Sequence, residues 1–161
     1  MRSDLVPGRV FPDYQLPDHT GTSRRLSELQ GDDPLILTLS RGHYCPKEHQ
    51  QHLDLAAFYP KIAVAYTHIV TISTDVHHTI QQFRASVGAQ WTFLSDPDRT
   101  VQKDLDIAEY TDPEHNPMIP HTLVLKPITR HRERRQPRRL SGEDFSGSIF
   151  DCLRLTSGPR A

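Results

Sequence analysis

The segment that most constrains the fold is an apolar run that leads, through a short loop, into a helical pattern. Residues 35–39 read Leu-Ile-Leu-Thr-Leu and directly follow Pro34. A short run of this composition, bounded by turn formers, predicts a strand buried on both faces. From Pro46 the apolar positions recur at helical spacing, and proline is common at the first position of a helix. The sequence therefore predicts that Cys45 lies at a helix N-terminus, near the carboxyl end of a buried strand.

This position favours a reactive thiol. The first N–H groups of a helix have no partner within the helix and carry a partial positive charge, which stabilises a thiolate. Arg41 adds a full positive charge on the loop. A buried structural cysteine is the alternative, because free cysteines are among the most buried residues. The polar neighbours of the thiol favour the reactive thiol, and they are Arg41, His43, Tyr44, Lys47 and Glu48.

Strands and helices alternate after this segment, which predicts βαβ units and a mainly parallel sheet. The helix that begins at Pro46 is expected to break or bend near Tyr59, because Pro60 cannot donate a backbone hydrogen bond. A second helix is expected up to Val87, with Asp75 as its N-cap. Three more strands are predicted at 67–74, 91–96 and 118–125, and a short helix is predicted after 96–98.

The residues around Cys45 resemble a known family. The run Arg-Gly-His-Tyr-Cys-Pro-Lys-Glu at 41–48 resembles the active-site loop of the peroxiredoxin, or AhpC/TSA (redoxin), family. It is most similar to a branch whose loop reads Arg-Gly-x-aromatic-Cys-Pro. Residues 7–31 resemble the entry segment of that family and 93–98 its third strand and turn. The resemblance ends near Pro127.

The resemblance implies an α/β fold of the thioredoxin-like type, with three α/β/α layers and a mixed central sheet. We expect a redoxin domain over residues 1–126. Residues 127–161 are basic and should form a poorly ordered tail, so the C-terminal hairpin and helix of the family would be atypical or incomplete.

The function implied by the resemblance is that of a thiol-dependent peroxidase. The substrate would be hydrogen peroxide or an organic hydroperoxide, reduced through a sulfenic acid on a single cysteine. An external thiol, such as thioredoxin or a low-molecular-weight thiol, would recycle the enzyme, and no cofactor is implied. Pro120 would occupy the cis-proline position that faces Cys45. If Cys45 is the peroxidatic cysteine, Arg41 is expected to stabilise the charge that develops on the leaving oxygen, as an oxyanion hole does. Thr38 or Tyr44 would donate a hydrogen bond to the second oxygen of the peroxide. Glu48 suits the first turn of the helix, but its charge raises the pKa of the thiol unless Arg41 neutralises it.

Several positions depart from the family pattern. The proline that usually lies seven residues before the cysteine is Thr38, and the usual threonine or serine three residues before it is Gly42. A second arginine, common near the last strand, is replaced by Pro120 and His121. The second cysteine that is frequent in the Arg-Gly branch is replaced by Glu48, which removes a CxxC disulfide.

Three alternatives remain open at this point. One is a thioredoxin-like thiol–disulfide oxidoreductase in which Cys45 forms mixed disulfides. Another is a degenerate redoxin that acts as a binding module. The third is a zinc site, because Cys45, His49 and His52 are spaced to share one helical face and His43 precedes them.

The composition bears on the remaining classes of protein, namely membrane, secreted and nucleic-acid-binding proteins. The chain has 161 residues, a formal net charge of −1 and two cysteines, Cys45 and Cys152. We expect neither a membrane span nor a signal peptide, and two distant cysteines favour a reducing, cytoplasmic setting. The basic run at 130–139 contains no aromatic residue for base stacking, so we expect no nucleic-acid partner and no membrane partner. A homodimer is compatible with the sequence.

Overall fold

The computed structural model describes residues 1–127. The predicted C-terminal tail, with Cys152, lies outside the described residues, so the proposed boundary at 126 stays a prediction. The elements in chain order are β1 (Gln15–Pro17), β2 (Ser23–Arg25), α1 (Leu26–Gln30), β3 (Leu35–Ser40), α2 (Pro46–Val64), β4 (His68–Ser73), α3 (His77–Ser86), β5 (Thr92–Ser95), α4 (Thr100–Asp104) and β6 (His121–Leu125).

A four-stranded sheet forms the centre of the described part. Its strand order is β5-β4-β3-β6, and β1 and β2 form a separate antiparallel pair. Strand β3 pairs in parallel with β4, and β4 pairs in parallel with β5. Strand β6 runs antiparallel to β3, with Leu39 opposite His121. The prediction of an α/β fold with a mixed central sheet is confirmed.

The alternating side chains of the sheet build two cores. In β3, Leu35 and Leu37 belong to a cluster that includes Leu26 of α1 and Val101 of α4. Ile36, between them, packs against a second cluster that includes residues of α2 and α3. Because successive side chains of a strand point to opposite faces, the helices form one layer on each side of the sheet. The order of layers is α/β/α.

The predicted break at Pro60 and the predicted N-cap at Asp75 are wrong. Helix α2 continues through Pro60 to Val64, because buried Ile62 and the neighbouring Tyr59 pack into the second core and offset the cost of the proline. Asp75 is not the N-cap of α3: the helix begins at His77, Val76 precedes it in an extended conformation, and neither side chain caps it.

Within residues 1–127, no helix has both the length and the apolar character needed to cross a bilayer.

Asp96 should be a strong local determinant of stability. Its buried carboxylate accepts the N–H groups of Thr100 (2.7 Å), Val101 (3.0 Å) and Gln102 (3.3 Å), so it caps α4. We expect Asp96→Asn to lower the free energy of unfolding by about 1–3 kcal/mol, because an amide N–H₂ would face one of these donors. Urea denaturation measures the loss. The exposed Asp98, replaced by Asn, is the matched control, and equal midpoints for both variants would contradict the capping role.

Candidate active site

Cys45 lies where the sequence predicts it, between the carboxyl end of β3 and the first residue of α2. It is the N-cap residue of α2, and Pro46 is the first helical residue. The Cys45 N–H donates to the carbonyl of Gly42 at 3.3 Å, which closes a turn with His43 and Tyr44 at its corner. Cys45 is 8% exposed. The loop therefore holds a nearly buried thiol against the N-terminus of a 19-residue helix.

Arg41 begins this loop and is held by an acidic residue from another segment. Its Nη2 forms a partly buried ion pair with Glu109, which follows α4 in the chain. Within residues 1–127, the Nε of Arg41 is buried and has no hydrogen-bond partner. Its positive charge acts on Glu48 and Tyr44, the residues on either side of the Cys45–Pro46 pair. Among residues 1–127, one donor of the guanidinium is thus left without a protein acceptor.

Glu48 lies in the first turn of α2 and is 5% exposed. Burial raises the pKa of its carboxyl, while a hydrogen bond with Ser40 and the charge of Arg41 oppose this effect. Burial disfavours the charged form of a carboxyl. Glu48 is therefore a buried acid that contributes less negative charge near Cys45 than an exposed glutamate would.

Asp75 fixes the middle of the loop. One carboxylate oxygen accepts the backbone N–H of His43 at 2.8 Å, and the other lies 2.9 Å from Nδ1 of the same histidine. Ser73 donates its hydroxyl to the carboxylate at 2.8 Å. Gly42 has φ +129°, and a Cβ there would lie 2.9 Å from Oδ2 of Asp75. No side chain fits at position 42, which explains the absence of the threonine or serine expected from the resemblance.

Tyr44 is held on the other side of the loop. Its hydroxyl donates to the carboxylate of Asp112 at 3.1 Å, and its ring stacks on His115 with centroids 3.8 Å apart. Burial and this hydrogen bond raise the pKa of Tyr44, so the phenol keeps its proton. A hydrogen bond with His115 lowers the pKa of Asp112. Because the Tyr44 proton is engaged by Asp112, its predicted donation to the substrate is not favoured by this geometry.

Thr38 lies in the core beneath α2. Its hydroxyl is 2.7 Å from that of Thr71, and Trp91 donates its indole N–H to Thr71 at 3.0 Å. Thr71 lies 3.3 Å from Nε2 of His52, whose Nδ1 is 2.7 Å from the carbonyl of Glu48. Burial lowers the pKa of His52. The structure thus places Thr38 in a buried polar network under the helix, and its predicted contact with a peroxide stays a prediction.

The cis-proline prediction is wrong, because no peptide bond in residues 1–127 is cis. Pro120 does lie at the end of the sheet where β3 leads into the Cys45 loop, since it directly precedes His121, the partner of Leu39. It lines a cavity of about 500 Å³ beside Arg41. The other lining residues are Asp106, Ala108, Glu109, Tyr110, Thr111 and Ile119.

The histidines of the zinc hypothesis are not gathered around Cys45. His52 is fully buried and engages Glu48 and Thr71, and His49 lies against Phe83. In the part of the chain that the structure describes, no three His, Cys, Asp or Glu side chains are grouped to hold a metal ion.

Sequence reasoning did not identify the three acids that hold the loop, namely Asp75, Glu109 and Asp112. Asp75 directly follows β4, and the carboxyl ends of neighbouring parallel strands meet at one edge of a sheet. That position could have indicated a contact with the loop after β3. Glu109 and Asp112 lie in irregular chain after α4, where no periodic pattern indicates a partner.

Comparison with known proteins identifies relatives of the whole redoxin-like region. Residues 7–130 match the model of the AhpC/TSA family. A Mycobacterium tuberculosis protein predicted to be a peroxiredoxin is 34% identical over 102 residues, which are 60% of this chain and 63% of the relative. The peroxiredoxin bcp1 of Schizosaccharomyces pombe is 28% identical and is matched over 64% of this chain and 53% of its own length. The chain therefore spans less than two thirds of these curated relatives.

A solved structure of a related protein has a similar fold. The crystal structure of the peroxidoxin BcpB from Mycobacterium tuberculosis superposes with a TM-score of 0.64 at 27% identity, over 73% of this chain and 77% of that protein. Together with the order of layers and strands, this similarity confirms the thioredoxin-like fold.

Glu48 should make the stability of the protein depend on pH. Since its pKa is raised in the folded state, its contribution to stability is fully present below the ordinary glutamate value of 4.5 and is lost as pH rises through the raised value. Glu48→Gln should remove this loss, making the variant more stable than the wild type at pH 7 by roughly 1 kcal/mol and nearly equal in stability near pH 4. Urea denaturation at several pH values, followed by the fluorescence of the single tryptophan, measures the difference.

The exposed Glu114, replaced by Gln, is the control and should behave like the wild type at every pH. A Glu48→Gln variant that is less stable than the wild type at pH 7 would contradict the argument, because it would show that attraction to Arg41 outweighs the cost of burial.

Proposed function

The chain belongs to the AhpC/TSA family, and from that premise we propose that it is a thiol-dependent peroxidase. It reduces hydrogen peroxide or an organic hydroperoxide through a sulfenic acid on Cys45. The observation that supports this most is that one short loop carries both Cys45, the N-cap residue of α2, and Arg41, whose Nε has no protein acceptor among residues 1–127.

In the proposed first step, the thiolate of Cys45 attacks the terminal oxygen of the peroxide. The O–O bond breaks, and the leaving alkoxide or hydroxide takes a proton to become an alcohol or water. Negative charge grows on the leaving oxygen during this step, and preorganised donors that face such charge lower the barrier. Arg41 and the free N–H groups of α2 supply these donors. The ion pair with Glu109 holds the guanidinium in place but leaves Nε available.

Cys45 is oxidised to a sulfenic acid, which an external thiol must reduce. Thioredoxin or a low-molecular-weight thiol fills this role in the proposal. Glu48 occupies the position of a second cysteine in the Arg-Gly branch, and this supports a one-cysteine cycle. A cytoplasmic setting remains part of the proposal, because reduction of the sulfenic acid needs a supply of reduced external thiol. A homodimer also remains part of it.

The proposal predicts rapid, saturable or second-order oxidation of Cys45 by hydrogen peroxide. Stopped-flow fluorescence and intact mass should show one added oxygen on the Cys152→Ser variant, and Cys45→Ser should abolish the reaction. Disulfide exchange without oxidation by peroxide would instead support a thiol–disulfide oxidoreductase. The absence of both reactions would support a binding module.

A second prediction concerns Arg41. We expect Arg41→Lys to slow the reaction with peroxide by about 10²–10³-fold, because a compact ammonium cannot reproduce both the Glu109 pair and the Nε donor. Alkylation by iodoacetamide should slow much less, since it develops no charge on a peroxide oxygen. The matched control is Arg25→Lys, which alters an exposed arginine paired with Asp13. Equal slowing of both reactions in the Arg41 variant would mean that Arg41 acts only by stabilising the thiolate.

A further inference from the structure

We propose that His43 and Asp75 form an acid–base pair that activates the external thiol when it attacks oxidised Cys45. This inference rests on the proposed function and assigns a residue to its second half-reaction. His43 would be the catalytic residue, because it exchanges a proton with the incoming thiol. Asp75 would be a positioning residue that acts through the imidazole.

The pair is built from one exposed and one protected side chain. The carboxylate of Asp75 is 13% exposed, whereas the imidazole of His43 is 51% exposed. Two hydroxyl groups of the sheet hold Asp75 in place. Ser73 donates to its carboxylate, and Ser95 donates to its backbone carbonyl at 2.6 Å. The histidine ring is also held at its edge by Tyr44, with centroids 6.2 Å apart and an interplanar angle of 85°. A rigid carboxylate thus orients a solvent-facing imidazole.

The hydrogen bond determines the tautomer of His43. A carboxylate accepts hydrogen bonds and donates none, so Nδ1, at 2.9 Å from Oδ1 of Asp75, must carry the proton. The neutral ring then has its lone pair on Nε2. A carboxylate bound to Nδ1 also stabilises the imidazolium that forms when Nε2 takes up a proton. Nε2 is therefore prepared to act as a general base on the exposed side of the ring.

The location of the pair suits the second half-reaction. His43 occupies the corner of the turn that ends at Cys45, so an exposed imidazole lies two residues before the nearly buried thiol on the same loop. In the proposed first half-reaction, Arg41 and the N-terminus of α2 act on Cys45 itself. An incoming external thiol has no such groups beside its own sulfur, although only its thiolate form is a good nucleophile. A base on the same loop supplies what that thiol lacks.

The proton and electron balance is complete. The external thiol gives its proton to Nε2 of His43, and its sulfur attacks the sulfur of the sulfenic acid. An S–S bond forms, the S–O bond breaks, and the leaving hydroxide takes the proton from the imidazolium to become water. The sulfur of the external thiol is oxidised and that of Cys45 is reduced. A second external thiol then releases Cys45 from the mixed disulfide.

The test compares two thiols that differ in their need for a base. 2-Nitro-5-thiobenzoate is ionised at neutral pH, whereas 2-mercaptoethanol is mostly protonated. The Cys152→Ser protein, oxidised with one equivalent of hydrogen peroxide, is mixed with each thiol and quenched with acid, and the mixed disulfide is counted by intact mass. We expect His43→Gln to slow the reaction of 2-mercaptoethanol by about 10- to 100-fold and to leave that of 2-nitro-5-thiobenzoate within about twofold.

A second variant tests the role of the carboxylate. Asp75→Asn keeps the shape of the side chain but can present an N–H₂ group to Nδ1, which would place the ring proton on Nε2. It should reproduce the selective loss with 2-mercaptoethanol. His78→Gln, which changes an exposed histidine at the start of α3, is the control and should react with both thiols like the wild type.

Equal slowing with both thiols would overturn the proposal, because it would show that His43 and Asp75 only position the loop. Unchanged rates with both thiols would also overturn it. The addition of oxygen to Cys45 is measured before any thiol is added, so a failure of the peroxide reaction is recognised separately. In that case Cys45 is first converted to its mixed disulfide with 2-nitro-5-thiobenzoate, and His43→Gln should still slow the release of that group by 2-mercaptoethanol. An unchanged rate of release would overturn the inference.

Discussion

The geometry of the active-site loop depends on contacts between its residues and three carboxylates from other segments. Glu109 pairs with Arg41, Asp75 binds both the backbone and the ring of His43, and Asp112 accepts the Tyr44 hydroxyl. The loop itself contains only a single turn before α2 and could not maintain one conformation through its own hydrogen bonds. The carboxylates come from chain segments after β4 and α4, so the completed sheet is needed before Cys45 reaches its final position.

These contacts also explain how the chain departs from its family pattern without losing the site. A side chain at position 42 would collide with Asp75, so the hydroxyl expected from the resemblance cannot be present there. Asp75 takes over the task of holding the loop, and Arg41 places a guanidinium on the loop itself. Glycine is suited to this position because φ +129° is unfavourable for other residues. Gly42 and the contacts that Asp75 makes with the loop are therefore parts of one arrangement.

Structural elements that depend on local sequence patterns are predicted well, whereas features that depend on tertiary contacts are predicted less well. Strand β3, the start of α2 and the position of Cys45 follow from composition, proline placement and helical spacing, and all three are confirmed. The assignment of Asp75 as a helix cap fails because a carboxylate can satisfy a distant loop as readily as the next helix. The break expected at Pro60 fails because core packing compensates for one lost hydrogen bond. The cis form of Pro120 was inferred from resemblance alone, and the chain before β6 reaches the sheet with a trans bond.

The charge near the thiol results from a balance among Arg41, Glu109 and Glu48. A fully charged Glu48 next to a guanidinium already paired with Glu109 would leave a net negative charge near Cys45 and would disfavour its thiolate. Burial raises the pKa of Glu48, and this reduces the negative charge that it contributes. In the proposed mechanism, a less negative Glu48 opposes Arg41 and the helix N-terminus less strongly. The exposed His43 is held by Asp75 and takes no part in these contacts, so the two proposed half-reactions would use different groups on the same short loop.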